Sequence, residues 1–402
     1  MPSPQPNNHA LFSPAMTAVL VAQFLSAAGD NALLFAAIAL VKANGLPVYF
    51  TSMLQEFFVG AFILLAPFVG PFADAYAKGR VMLAANAVKL LGAGTMLFGL
   101  HPLLAYGVVG LGAAAYSPAK YGILSQLVTP DKLVKANALI EGSTIVAILL
   151  GALLGGWLSD LSVNLALSVA AGLYVAAALA NLRIPKLPAV HPVESFNFVA
   201  LVRDFWAALK QLYRNPETRF TLLGTSLFWG AGSTLRFMLV VWVPVALLID
   251  NNHTPANLNG VVAIGIAIGA ALAARWVNLK TVNRALIGGV LLGVGVWIFA
   301  QTTHLHVAIG LLVLIGACGG FFVVPLNALL QERGHETVGA GHAIAVENFS
   351  DGIAMLVLVG AFTAAQKAEW PVIPMAEGFG LALIALMMLL TILRLMRWKS
   401  PT

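Results

Sequence analysis

Residues 14–41 read PAMTAVLVAQFLSAAGDNALLFAAIALV, an apolar run interrupted by a single charge, Asp30. About 20 predominantly apolar residues cross the hydrocarbon core of a bilayer as a helix, so the stretch reads as a membrane span. Eleven further runs of the same kind follow, near 50–76, 80–100, 102–127, 135–159, 161–183, 219–249, 256–276, 282–301, 305–331, 339–365 and 372–396. They are long and rich in Leu, Ala and Gly instead of short and alternating, which argues against a β-barrel. Of 402 residues, 60% are apolar and 9% charged, whereas about a quarter are charged in soluble domains. The expected fold is an all-α integral membrane protein with twelve transmembrane helices in two pseudo-symmetric six-helix bundles.

Basic residues set the orientation. Seventeen of the 22 Lys and Arg fall on one side of the twelve spans, and only Lys42 and Lys367 fall on the other. The positive-inside rule therefore puts both termini in the cytoplasm of a multi-pass protein. The segment from Met1 to Phe12 has no Lys or Arg, so it lacks the basic start of a secretory signal and the first span is expected to be retained. The net charge of +6 is accounted for by topology, and no nucleic-acid partner is expected. The longest loop divides the chain into an N-terminal bundle (1–183), a cytoplasmic linker (184–218) and a C-terminal bundle (219–402). Within the linker Phe198, Val202, Phe205, Leu209 and Leu212 recur at helical spacing beside Arg203, Asp204, Lys210 and Arg214. That pattern suits a helix in the membrane interface and equally one packed on the protein's own cytoplasmic face.

The two halves repeat. AAGDNALLF around Asp30 aligns with GAGSTLRFM around Arg236 through Gly29 and Gly232, 203 residues apart. AAAYSPAKYGILSQL aligns with GGFFVVPLNALLQER through Pro118 and Pro325, 207 apart, and Glu141 and Glu347 follow, 206 apart. Parallel six-helix repeats with a substrate site between them resemble the plan of major facilitator transporters. The loop GPFADAYAKGR resembles that superfamily's cytoplasmic motif, with Gly70 for close helix approach and Asp74, Lys78 and Arg80 as a breakable latch.

Charges inside spans are costly and point to function. Asp30 and Arg236 share a depth of about 24 Å from the cytoplasmic ends of their spans, which suggests an ion pair across a central cavity. Lys120, Glu141 and Glu347 form a second layer, about 9 to 12 Å from the same ends. Lys89 and Asp351 read as helix-pairing residues, and Glu56 as reaching the periplasmic surface. Sparse charges of both signs among Leu, Val, Phe, Gly and Ala suit an amphiphile, whose phosphate meets Lys or Arg and whose acyl chain meets apolar walls. Glycines such as Gly60, Gly92, Gly94, Gly232, Gly265, Gly269, Gly319 and Gly320 permit either close packing or lateral gaps between helices.

Other functions fit less well. The sequence has no HExxH, Walker A or GxSxG motif, and its one cysteine, Cys318, lies in an apolar run. No metal and no cofactor are expected, and the chain is not read as an enzyme. A proton-coupled exporter of a drug or small metabolite, with Asp30, Glu141 or Glu347 carrying the proton, is the alternative.

VAQFLSAAGDNALLFA, FADAYAKGRVM, GAAAYSPAKYGIL, LVKANALIE, GTSLFWGAG, TLRFMLVVWVPVAL, GGFFVVPLNALLQERG and AIAVEN, spread along nearly the whole chain, resemble the bacterial lysophospholipid transporters of the major facilitator superfamily. The resemblance implies an inner-membrane flippase that brings lysophosphatidylethanolamine and lysophosphatidylglycerol from the periplasmic to the cytoplasmic leaflet for re-acylation. It implies Asp30, Lys120 and Arg236 as polar cavity residues, with Glu141 and Glu347 beside them. Some relatives are fused to acyltransferase or acyl-carrier-protein synthetase domains. Here no such domain follows the last span, and those enzymes are expected as separate partners.

Overall fold

The computed structural model describes residues 12–188 and 197–398, and both termini lie outside that range. Among the described residues every regular element is helical: α1 (Pro14–Ala43), α2 (Phe50–Ala75), α3 (Lys78–Leu97), α4 (Pro102–Gly122), the single turn α5 (Leu124–Leu127), α6 (Pro130–Leu161), α7 (Val163–Asn181), α8 (Phe198–Arg214), α9 (Pro216–Trp242), α10 (His253–Trp276), α11 (Ala285–Ala300), α12 (Leu305–Val338), α13 (Ala340–Lys367) and α14 (Val372–Trp398). A π-helical turn, Val243–Leu247, ends α9 at Pro244, whose ring nitrogen cannot donate, and a 3-10 segment, Leu279–Arg284, leads into α11.

Among the described residues, ten helices are long and apolar enough to cross a bilayer by length and composition. Helices α3 and α4, counted as spans in the sequence, are not among them. Lys78, Arg80, Asn86 and Lys89 dilute α3, and Gly, Tyr and Pro dilute α4. Large apolar side chains such as Leu64, Leu179, Ile287 and Val357 stand 59–73% exposed on outward faces, as lipid-facing residues do.

Local chemistry sets the helix ends. Ser13 accepts a hydrogen bond from the Met16 N–H ahead of Pro14, and Asn215 does the same for Glu217 ahead of Pro216. Four junctions are one residue long: Ile123 between α4 and the turn α5, Ser162 between α6 and α7, Asn215 between α8 and α9, and Gly339 between α12 and α13. Gly339 turns with φ +84°, a conformation that a Cβ would strain.

The halves meet along two seams, α2 with α13 and α6 with α10. Gly352 of α13 lies against Val59 and Ile63 of α2, and Gly156 of α6 against Ala256 and His253 of α10. A set of hydrogen bonds between the halves gathers at the end that carries the α1–α2 turn. Ser52 donates to Gln366 (2.8 Å), Thr363 Oγ1 lies 2.6 Å from Glu56, and Lys42 reaches Asn252 (3.4 Å). Glu56 is thus tied across the seam, where the sequence placed it at the surface.

The most defined of these contacts is a carboxylate from one half capping a helix of the other. Asp160, at the end of α6, accepts from the backbone N–H of Asn252 (2.8 Å) and of His253 (3.0 Å) at the start of α10, and lies 2.6 Å from His253 Nδ1. A negative charge there also meets the positive end of the helix dipole. Trp157 stacks on the His253 ring at 4.5 Å. Loss of a helix cap costs about 1 kcal/mol, so Asp160→Ala should shift the equilibrium toward opening at this end by about fivefold. The readout is thiol labelling, from that side of the membrane, of a cysteine placed at the fully buried Ala256. Unchanged labelling would reduce Asp160 to a local cap.

The glycines resolve mainly as close packing. A Cβ at Gly92 would meet Ala105 O at 2.8 Å, and Gly265, Gly269 and Gly320 press on backbone carbonyls between α10 and α12. Gly60, Gly94 and Gly232 have no neighbouring atom within 4 Å of a Cβ position.

Candidate polar site within the bundle

Asp30 sits on α1 one turn beyond Ser26, on the same face. Asn86 and Lys89 of α3 face them. Lys89 Nζ lies 2.7 Å from Asp30 Oδ2 and 3.0 Å from Ser26 Oγ, and Ser26 donates to Asn86 Oδ1 at 2.7 Å. Tyr174 of α7 donates its hydroxyl to Asp30 Oδ1 at 2.8 Å. Gly29 makes that approach possible, since a Cβ there would stand 2.9 Å from the Tyr174 ring. Lys89 is 2% exposed and Asp30 21%, so the ammonium is enclosed while part of the carboxylate stays open. The rings of Tyr116 and Tyr174 lie 5.0 and 5.8 Å from Lys89 Nζ and add cation–π attraction.

The expected Asp30–Arg236 pair is therefore not formed. Lys89 projects into the same layer from a helix packed in the same half and takes the carboxylate. Arg236, on α9, has Nε 3.4 Å from Asn259 Oδ1 of α10, a neutral partner. Among the described residues no carboxylate comes within 4.0 Å of Arg236.

Asp351 is buried on α13, where Thr225 and Ser226 of α9 donate to it at 3.2 and 3.0 Å. It pairs helices, as the sequence suggested, but through hydroxyls. Lys120 is buried near the end of α4 with Nζ 4.2 Å above the Tyr121 ring. Glu347 is half-buried on α13. Glu141 lies on α6, and its side chain is outside the described residues.

Of the residues expected to form the latch, Asp74 and Lys78 come together. Only Tyr76 and Ala77 separate α2 from α3, so Lys78 opens α3 within reach of the last turn of α2 and pairs with Asp74 at 2.6 Å. Lys78 is 2% exposed, while Arg80 points outward. Gly70 serves no close approach, since no neighbouring atom lies within 4 Å of its Cβ position.

Sequence reasoning overlooked Lys89 as the partner of Asp30 and did not single out Tyr174, Asn259, Asp160 or His253. Gly29, immediately before Asp30, was the available signal for a ring packed against α1.

Helical halves joined along two seams, with buried charges of both signs between spans, define a membrane carrier. The family profile described as Major Facilitator Superfamily matches residues 19–357. Lysophospholipid transporter LplT of Escherichia coli O7:K1 is 58% identical over 94% of this chain and 95% of its own. The protein of the same name from Klebsiella pneumoniae strain 342 is 56% identical over 93% and 94%. In three dimensions the chain superposes on a POT family transporter crystallised with 5-aminolevulinic acid, with a TM-score of 0.77, 10% identity and coverage of 95% and 96%. It also superposes on a bacterial homologue of the lysosomal transporter Spinster in an inward-facing, unoccupied conformation, with a TM-score of 0.71, 13% identity and coverage of 99% and 100%. The chain belongs to the Major Facilitator Superfamily and, within it, to the lysophospholipid transporters.

Proposed function

We propose that this protein moves lysophospholipids, chiefly lysophosphatidylethanolamine and lysophosphatidylglycerol, from the periplasmic to the cytoplasmic leaflet of a bacterial inner membrane. A separate acyltransferase or acyl-carrier-protein synthetase then replaces the lost chain. The observation that supports this most is Arg236, a guanidinium inside a membrane protein whose partner is a neutral amide. An unbalanced cation in low dielectric calls for an anion, and the lipid phosphate supplies it through charge-assisted hydrogen bonds.

Asp30 holds the other end of the head group. Its exposed carboxylate edge accepts the ethanolamine ammonium, or glycerol hydroxyls, in competition with Lys89. Lys120, Glu141 and Glu347 take the head group next, nearer the cytoplasm. Bundles 1–183 and 219–402 rock about the site, joined by 184–218, with both termini cytoplasmic and the Gly70, Asp74, Lys78 and Arg80 region closing that side. These ionic steps use no cofactor.

The test is transport in proteoliposomes. Fluorescent lysophosphatidylethanolamine should cross rapidly, and glycerophosphoethanolamine should be a poor substrate and a poor competitor, because it forfeits about 0.8 kcal/mol for each CH₂ left unburied. Equal transport of the deacylated head group would remove the amphiphile pathway and favour an aqueous cavity for small metabolites.

A further inference from the structure

Helix α8 carries three stripes, each with the i, i+4, i+7, i+11 spacing that keeps residues on one face. The first is Leu201, Phe205, Ala208 and Leu212. Its last three members are 0–6% exposed and pack with Ala66 of α2, Leu222 of α9, Leu330 of α12 and Ala343 and Val346 of α13. The second is Val199, Arg203, Trp206 and Lys210, continued by Arg214, and every member is exposed. The third, Ala200, Asp204, Ala207 and Gln211, is small or polar, and Gln211 donates to Thr337 O at 3.0 Å.

The first stripe makes α8 a strap across the α2–α13 seam. Phe198 meets Phe68 of α2 at 5.8 Å, Phe205 meets Phe349 of α13 at 5.4 Å, and the Tyr213 hydroxyl lies 3.0 Å from Ser350 of α13. The second stripe is then left facing outward, with Val199 79% and Trp206 51% exposed beside three cations. Arg203 Nε lies 3.4 Å from Asp204, but both are well exposed, and such a pair is weak. Helix α8 keeps an excess of two positive charges.

We propose that this second stripe rests on the anionic phospholipid head groups of the surrounding bilayer, and that the contact holds α8 across the seam. Charge complementarity selects the occupant. Tryptophan beside cations, next to an apolar edge, is the composition of a helix at head-group depth, with the ring at the polar boundary and the basic side chains on phosphate. Each cation near such a surface contributes about fivefold to partitioning. The sequence left open whether the linker helix meets membrane or protein, and the stripes give it one face for each.

The test uses the full chain in vesicles of phosphatidylcholine alone or with one third phosphatidylglycerol, with a spin label at Val199→Cys or Ala207→Cys. Collision with a water-soluble nickel reagent should fall several-fold at position 199 when phosphatidylglycerol is present and stay unchanged at position 207. The triple change Arg203→Gln, Lys210→Gln, Arg214→Gln should abolish the fall at 199. If that variant does not insert, Lys210→Gln alone should take back a measurable part of it. Equal accessibility at 199 in both lipids, or an equal fall at both positions, overturns the proposal. None of these readouts depends on transport.

Discussion

Lys89→Met should abolish lysophospholipid uptake and lower stability together. The ammonium is enclosed and bonded at 2.7 Å to Asp30. Removing one partner of a buried pair leaves the other charge uncompensated, at a cost of about 3–5 kcal/mol. Uptake by spheroplasts, normalised to inserted protein, and thermal unfolding in detergent check both halves of the expectation. The double change Asp30→Asn with Lys89→Met removes both charges, so stability should recover while uptake does not, because the carboxylate proposed to receive the head group is gone. A Lys89→Met protein that transports at the wild-type rate would remove the pair from the mechanism.

Arg236→Gln should separate the same two readouts in the opposite way. A hydrogen bond to a charged group contributes about 1.5–3 kcal/mol, so losing the phosphate contact should cut uptake by about tenfold to a hundredfold for both lysophosphatidylethanolamine and lysophosphatidylglycerol. Stability should hold or rise, since the partner left behind is the neutral Asn259 and no carboxylate is stranded. Arg236→Lys should recover part of the activity, keeping the charge without the planar fork that matches phosphate. A destabilised Arg236→Gln protein with normal uptake would make the guanidinium a packing element.

The helical fold was legible because long apolar runs are one-dimensional signals. The runs appear as helices, most with ends within a turn or so of those read, although α12 runs on to Val338 where the expected span ended at 331, and the helical pattern around Phe205 appears as α8. The charged positions inside spans were equally visible as exceptions. Their partnerships were not. Depth and repeat symmetry placed Asp30 opposite Arg236, but pairing is decided by which helix packs against which, and α3 brings Lys89 to Asp30 inside its own half. Asp160 and His253 carried no signal, since an acid at a helix end and a histidine after a loop are ordinary in any sequence. Only the packing of α6 on α10 makes them a cross-half cap.

The one-residue junction at Asn215 has a mechanical consequence. A joint of one residue lets α8 and α9 act as two arms of one lever, with the fulcrum at Asn215. Arg236 lies twenty residues along α9, about 30 Å from the fulcrum at 1.5 Å per residue. A tilt of about 5° in α8, carried through the joint, displaces the arginine by about 2.6 Å over that arm, comparable to the length of a hydrogen bond. The hold proposed for the bilayer on α8 is in these terms a torque applied to the arm that carries Arg236.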